Sequence, residues 1–222
     1  ETQLAAAQRT ESYAVVPDDY IGFVPKVIVH PGDKVLAGDA LLCHKGAPEL
    51  CLTSPVSGEV IAVNRGAKRK VLSVEVRPDA TTEYKSFATA GVEKMQRAEV
   101  LALLLESGMF SFFKQRPYDR LANPLTEPRD IFVTANFTAP LAPRFSYLAQ
   151  GREDELQLAL TALTKLTTGK VYLGSLRSPN PHRSRCTSAL ARAFLAEKSP
   201  DLRSSTAVLI AYEASRAPRR HP

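Results

Sequence analysis

The 222-residue chain has no tryptophan, three cysteines, two methionines and an aromatic content of only 7%. No apolar run approaches the ~20 residues that a bilayer-spanning helix needs. The opening Glu-Thr-Gln-Leu-Ala-Ala-Ala-Gln has no basic stretch followed by an apolar one and does not read as a secretory signal. It also has no initiator methionine, so a fragment of a longer chain is expected. Cys43, Cys51 and Cys186 are odd in number and form no Cys-x-x-Cys pair. A disulfide framework, a zinc ribbon and iron–sulfur ligation are therefore disfavoured. A reducing cytoplasmic compartment is the simplest reading. Cys43, His44 and Cys51 offer metal-ligand types, but alternating positions in a small β core explain them better. The four histidines (His30, His44, His182, His221) have no base-like setting, and no Ser-His-Asp or Cys-His arrangement can be argued.

The net charge of +6 is confined to one end. Residues 1–173 balance twenty cations against twenty acids, whereas residues 174–222 hold eight Arg and one Lys against three acids. A field argument for nucleic-acid binding thus applies to that tail alone, and no nucleic-acid partner is expected for the rest.

What is present is centred on residues 26–76. Apolar Val27 and Val29 run into the turn Pro31-Gly32-Asp33, and Gly38-Asp39 is a second turn. Ser54-Pro55-Val56-Ser57-Gly58 is a third turn, before a strand at 59–63. Gly32, Gly38 and Gly58 fit sites of positive φ or close backbone approach. At an offset of 34 residues, Val27, Val29, Gly32 and Lys34 correspond to Ile61, Val63, Gly66 and Lys68. Two β layers related in this way share one core. The stretch resembles the barrel-sandwich hybrid of biotinyl and lipoyl carrier domains. The carrier lysine is missing, because the family's spacing back from Gly58 lands on Ala47, and Lys45 is out of register. A scaffold or docking module without a modified lysine is the reading that remains.

Residues 1–12 are polar, Ala-rich and loose by composition. Residues 13–16 form a short strand candidate, and 17–23 a loop with two aromatics. The β module closes by about residue 90, after a polar linking segment. Within it, residues 65–70 form a basic hairpin, read as a solvated turn. Its functional alternative is a contact with acidic protein or lipid headgroups. From residue 92 the period becomes helical: Val100, Leu101, Leu103, Leu104 and Phe110 recur, and Ser107-Gly108 is a C-cap signal. Residues 109–120 pack four aromatics and three cations together. A strand at 131–134, an amphipathic helix at 153–166 with Leu156, Ala159, Leu160 and Leu163 on one face, and a strand at 170–173 predict an α/β domain over 91–173. Residues 174–222 change character, with helix and strand candidates at 189–196 and 207–212 that have no place in the pattern. Disorder or a shifted reading frame is the expectation for that tail.

An ordered series of stretches resembles the family of A subunits of the sodium-translocating NADH:quinone reductase. They are Asp18-Asp-Tyr-Ile-Gly22, Ser54-Pro-Val-Ser-Gly58, Asn64-Arg-Gly-Ala-Lys-Arg69, Val71-Leu-Ser-Val74, Glu106-Ser-Gly-Met-Phe110, Lys114-Gln-Arg-Pro-Tyr-Asp119 and Pro128-Arg-Asp-Ile-Phe-Val133. The resemblance covers about residues 11–173. The family's basic opening stretch is absent, and the tail has no counterpart that can be matched. The resemblance implies a barrel-sandwich hybrid followed by a Rossmann-like α/β domain similar to the flavoprotein subunit of complex I. It implies a translocase subunit, peripheral on the cytoplasmic face of the bacterial inner membrane, in a six-subunit complex that moves electrons from NADH to ubiquinone and drives sodium transport. It implies that this chain carries no cofactor, flavins and the iron–sulfur centre lying in partner subunits. Residues 108–119 agree, since a single glycine followed by bulky side chains makes no phosphate cradle. The resemblance places quinone contact at Tyr20, Ile21 and Phe23 in one loop and at Phe113, Arg116, Pro117 and Tyr118 in another. These supply ring contacts, apolar surface and a hydrogen-bond donor. Asp119 is expected to pair with Arg116 or Arg120. No catalytic or metal-binding residues are assigned.

Overall fold

Turn chemistry sets the first half of the fold. In His30-Pro31-Gly32-Asp33 the Asp33 carboxylate accepts the His30 N–H at 2.7 Å, and in Leu36-Ala37-Gly38-Asp39 the Asp39 carboxylate accepts the Leu36 N–H at 2.8 Å. Each turn holds its glycine left-handed, at φ 94° and 104°, where a side chain is disfavoured. The computed structural model describes residues 10–88, 91–135, 145, 149 and 151–174, and the backbone alone of 210–214. The chain divides into two compact units. One runs to Thr89 and takes in Leu101–Ser111; the other holds Ala90–Val100 and the chain from Phe112.

The first unit contains β1 (Tyr13–Val15), β2 (Pro25–Val27), β3 (Lys34–Val35), β4 (Ala40–His44), β5 (Ala47–Thr53), β6 (Gly58–Arg65) and β7 (Val71–Pro78). They form a four-stranded sheet in the order β1-β7-β6-β3 and a three-stranded sheet in the order β2-β4-β5, antiparallel throughout. The sequence repeat is visible here, because Val27 lies in one sheet and Ile61 and Val63 lie in the other. Leu41, Leu42 and Leu52 from the first and Val60, Val74 and Val76 from the second are all but inaccessible. Each such side chain contributes about 2 kcal/mol by leaving water.

The turn before β6 is locked by its serines. The Ser54 hydroxyl donates to the Val56 carbonyl at 2.6 Å, and buried Ser57 accepts the Glu83 N–H at 2.8 Å. The segment after β7 reads as a polar linker by composition but is strapped down. Ala37 N–H donates to the Glu83 carbonyl and Lys85 N–H to the Ala37 carbonyl, both at 2.9 Å.

One expectation fails. Cys43 and Cys51 are joined by a disulfide. An odd cysteine count does not prevent one pair from forming, and the antiparallel register of β4 and β5 sets these two directly opposite one another. Sequence spacing carries no trace of that register.

The second unit is built on β8 (Phe113–Arg116), β9 (Arg120–Leu121), β10 (Pro128–Thr134), β11 (Val171–Gly174) and β12 (Ile210–Ala214), in the order β11-β10-β12-β8-β9. The helix before them, α1 (Arg97–Glu106), carries the chain from the second unit into the first. Glu99 reaches back to accept the Gln96 N–H at 2.7 Å, half of a capping box. Gly108, left-handed at φ 72°, closes the helix where expected. Its leucines run round the cylinder and are half-buried, rather than lining one face.

Strand β10, helix α2 (Glu153–Leu166) and β11 make a parallel β-α-β unit, with Ile131 opposite Val171 and Val133 opposite Leu173. Three acids open α2, which suits the positive end of its dipole. Leu160, Leu163 and Leu166 are buried, whereas Ala159, expected on the same face, is exposed and Leu156 half-buried. The apolar stripe runs one turn later than the sequence reading placed it. At the end of α2 the Thr167 hydroxyl donates to the Pro128 and Arg129 carbonyls, and the Asp130 carboxylate accepts the Lys170 N–H at 2.9 Å. That N–H, followed by the Arg129 side chain, holds the Asp130 carboxyl below its ordinary value.

β12 pairs antiparallel with β10 and parallel with β8. The helix candidate at 189–196, the loop candidate at 137–147 except Phe145, and most of the tail lie outside the described residues. Among the described residues, no helix is long and apolar enough to cross a membrane.

Gly58 is the position where this packing is tightest. A methyl group there would overlap the Arg77 backbone carbonyl, which β6–β7 pairing fixes in place. Gly58→Ala should cost about 3 kcal/mol. Denaturant titration of the full chain measures this, and a loss under about 1 kcal/mol would show that the strands can separate at little cost.

Candidate functional site

The two stretches singled out in the sequence fall in different units, and each is described by itself. In the first unit a short 3₁₀ turn, Pro17–Asp19, delivers Tyr20 and Phe23. Their rings sit 6.4 Å apart and tilted, and the His44 ring meets Phe23 edge-on at 5.5 Å. His44 is further tied by both nitrogens: Nδ1 accepts the Gly46 N–H at 3.0 Å, so Nε2 carries the proton toward the Gly22 carbonyl at 3.3 Å. Phe23 is buried, whereas Ile21 is 58% exposed and Val24 is also exposed.

The Tyr20 phenol is half-buried and ionises above its ordinary value. Burial is the main cause and the nearby Asp19 charge adds to it, while a hydrogen bond with Ser111 works the other way. The Ser111 hydroxyl donates its single proton to the Gly108 carbonyl at 2.7 Å.

In the second unit β8 and β9 form a hairpin, with Lys114 opposite Leu121 and Gln115 opposite Arg120. Phe113 opens it and is only 1% exposed, so its ring belongs to the core and anchors the hairpin. The tip holds Pro117, Tyr118 and Asp119, and Tyr118 is 80% exposed. Asp119 sits 3.7 Å from the Arg116 guanidinium and 3.4 Å from the Lys114 amine. Arg116 is the expected partner, Arg120 is not used, and Lys114 was not foreseen. These pairs are partly exposed and add little stability, but they hold two cations beside an aromatic tip.

Sequence reasoning missed His44, Ser111 and Lys114. His44 and Ser111 reach their partners across long stretches of chain, which periodicity cannot reveal. Lys114 was legible in principle, because it precedes a tight hairpin whose tip carries an acid. The basic hairpin at 65–70 is exposed, with Lys68 and Arg69 left-handed and Lys70 paired to Asp18. Lys45 and Gly46 form the β4–β5 turn, and Ala47, the position matching a carrier lysine, pairs with His44. Among the described residues no group of three or more His, Cys, Asp or Glu is placed to hold a metal ion.

Two family models match the chain. The NqrA N-terminal barrel-sandwich hybrid domain covers residues 1–79 and the NqrA second alpha/beta domain residues 95–200. The second match runs past Leu173, where the motif-by-motif resemblance stops. Among curated relatives, the A subunit of the Na(+)-translocating NADH-quinone reductase of Rhodopirellula baltica is 34% identical over 177 residues, 78% of this chain and 39% of the relative. That of Marinomonas sp. is 34% identical over 173 residues, 77% and 38% respectively. That of Saccharophagus degradans is 32% identical over 185 residues, 82% and 41%. The chain thus spans about two fifths of the length of the curated relatives it matches.

The Tyr20 environment has a pH signature. Because its ionisation is shifted upward, its contribution to stability is complete below the ordinary tyrosine value near 10 and is lost as pH rises through the higher folded-state value. Phenolate absorbance of the chain minus that of Tyr20→Phe should show one tyrosine titrating late. A difference spectrum that titrates at the ordinary value would reject the buried phenol beside Asp19.

Proposed function

Because this chain belongs to the NqrA family, the A subunits of Na(+)-translocating NADH-quinone reductases, we propose that it acts as the front portion of such a subunit, contributing quinone contact to a larger assembly. In this reading the chain carries no cofactor of its own. It lies peripherally on the cytoplasmic face of the bacterial inner membrane. Partner subunits hold the flavins and the iron–sulfur centre and take electrons from NADH to ubiquinone as sodium moves outward.

The observation that carries the reading is the β8–β9 tip. Tyr118 offers an exposed ring and a hydroxyl with no hydrogen-bond partner among the described residues, and Arg116 stands beside it on a partly neutralised carboxylate. A quinone ring needs a flat apolar contact, and its carbonyl oxygens gain negative charge on reduction. A phenol and a guanidinium held at one hairpin tip supply the contact and stabilise that charge. Pro117 stiffens the tip, and Phe113 roots it in the core. In the other unit, the Tyr20, Ile21 and Phe23 loop offers ring and apolar contact.

Exposed Ile21, and Leu125 at 85% exposure, favour a second reading, in which the same surfaces dock partner subunits and the chain is a scaffold. Arg116→Ala combined with Tyr118→Phe separates the two. In the assembled complex the double variant should weaken binding of a quinone-site inhibitor about thirtyfold or more, the effect of losing one charged and one neutral hydrogen bond. Unchanged affinity with intact assembly rejects quinone contact at this tip, and failed assembly with normal affinity in the residual complex favours docking.

A further inference from the structure

The Cys43–Cys51 bond has no part in the function proposed above, yet it sits at the base of the element that holds the Tyr20–Phe23 loop. Cys43 lies opposite Cys51, but the next pair is His44 with Ala47, so Pro48, Glu49 and Leu50 are extra residues on β5. The bond therefore clamps an irregular hairpin tip of residues 44–50 whose strand pairing alone is broken. That tip grips the loop in three ways: the His44 ring on Phe23, the His44 Nε2 proton on the Gly22 carbonyl, and the Lys45 N–H on the Val24 carbonyl at 2.9 Å. Cys43 also pairs with Lys26 on β2, the strand that follows the loop. Cys43 is buried and Cys51 is the less buried residue of the two.

We propose that Cys43 and Cys51 form a thiol–disulfide switch that sets how firmly the Tyr20–Phe23 loop is held. The proposal rests on the quinone reading only for the loop's importance. In the reducing compartment proposed for this chain, disulfides are as a rule transient or redox-sensing rather than structural. The partner in the reaction is a soluble dithiol. Its thiolate attacks Cys51 Sγ, the S–S bond breaks, and its electron pair leaves on Cys43 Sγ, which takes up a proton. The second thiol of the reductant then attacks its own sulfur in the mixed disulfide and releases Cys51, which takes up the other proton. The dithiol ends as a disulfide, and two electrons and two protons have passed to the pair. The reverse exchange with an oxidised dithiol restores the bond. Reduction opens the closed tip to more conformations while the apolar interior keeps the rest of the unit folded.

Hydrogen exchange on the full chain tests this without any quinone present, so its outcome is separate from that of the inhibitor experiment. Alkylation and mass spectrometry first establish the state of Cys43 and Cys51 in the oxidised chain and after dithiol treatment. Reduction should speed exchange of the Lys45 and Gly46 amides about tenfold or more, leave the Val60, Val74 and Val76 amides unchanged, and be reversed by an oxidised dithiol. A double Cys43→Ser, Cys51→Ser variant should match the reduced chain. Equal exchange at Lys45 in both states, unfolding of the whole unit on reduction, or cysteines that alkylate freely in the oxidised chain would overturn the switch.

Discussion

The first unit depends on one close approach of backbone to backbone. β6 is paired on both sides, with β3 across Gly58 and Glu59 and with β7 along its length. At Gly58 there is no space for a side chain against Arg77. Ser57, one residue earlier, is buried and bonded to the segment around Glu83, which in turn brackets Ala37. The Ser-Pro-Val-Ser-Gly turn is thus the point where the four-stranded sheet, the second Gly-Asp turn and the strap after β7 are tied together. Without it the alternating valines would still be apolar, but nothing would fix which strand lies beside which.

That constraint explains which parts of the fold were legible in sequence. Turns, alternation and helix caps are local, and each was readable: the two Gly-Asp turns, the stop at Gly108 and the leucines of α2 all depend on residues within a few positions of one another. The offset repeat linking Val27 to Ile61 is longer in range but leaves a pattern. Register leaves none. Cys43 faces Cys51 only because of how β4 folds back on β5, with three extra residues absorbed at the tip between them. The same holds for His44 on Phe23. In the second unit, β12 completes the sheet between β10 and β8, and a strand drawn from so far along the chain could not be placed from its own five residues.

The candidate site was legible in kind and not in geometry. Aromatic rings among cations mark the 109–120 stretch, but alternation there sorts the residues by depth. Phe113 goes inward with the strand, and Tyr118 goes outward at the tip. Treating the four residues as equal contacts ignores that a hairpin has a root and a point. The Asp119 cluster follows the same logic. Partly exposed pairs of this kind are worth under about 1 kcal/mol each, so the carboxylate does little to hold the hairpin together. Its effect is to fix the direction of the Arg116 and Lys114 side chains, which otherwise sample many rotamers.

The hairpin between β4 and β5 shows how a carrier-type scaffold can serve another purpose. In a carrier the tip presents an amine to an enzyme, and the residues around it must leave that amine free. Here the matching position, Ala47, pairs with His44, and the His44 ring is turned back onto Phe23 with both nitrogens occupied. The neighbouring backbone N–H of Lys45 is spent on Val24. The His44 ring and the Lys45 N–H are thus directed at the loop and the residue that follows it. The apolar interior that defines the fold is indifferent to this change, since Leu41, Leu42 and Leu52 lie below the tip. The tip is a clasp on the loop, whose outward surface offers Ile21 and the aromatic rings for contact.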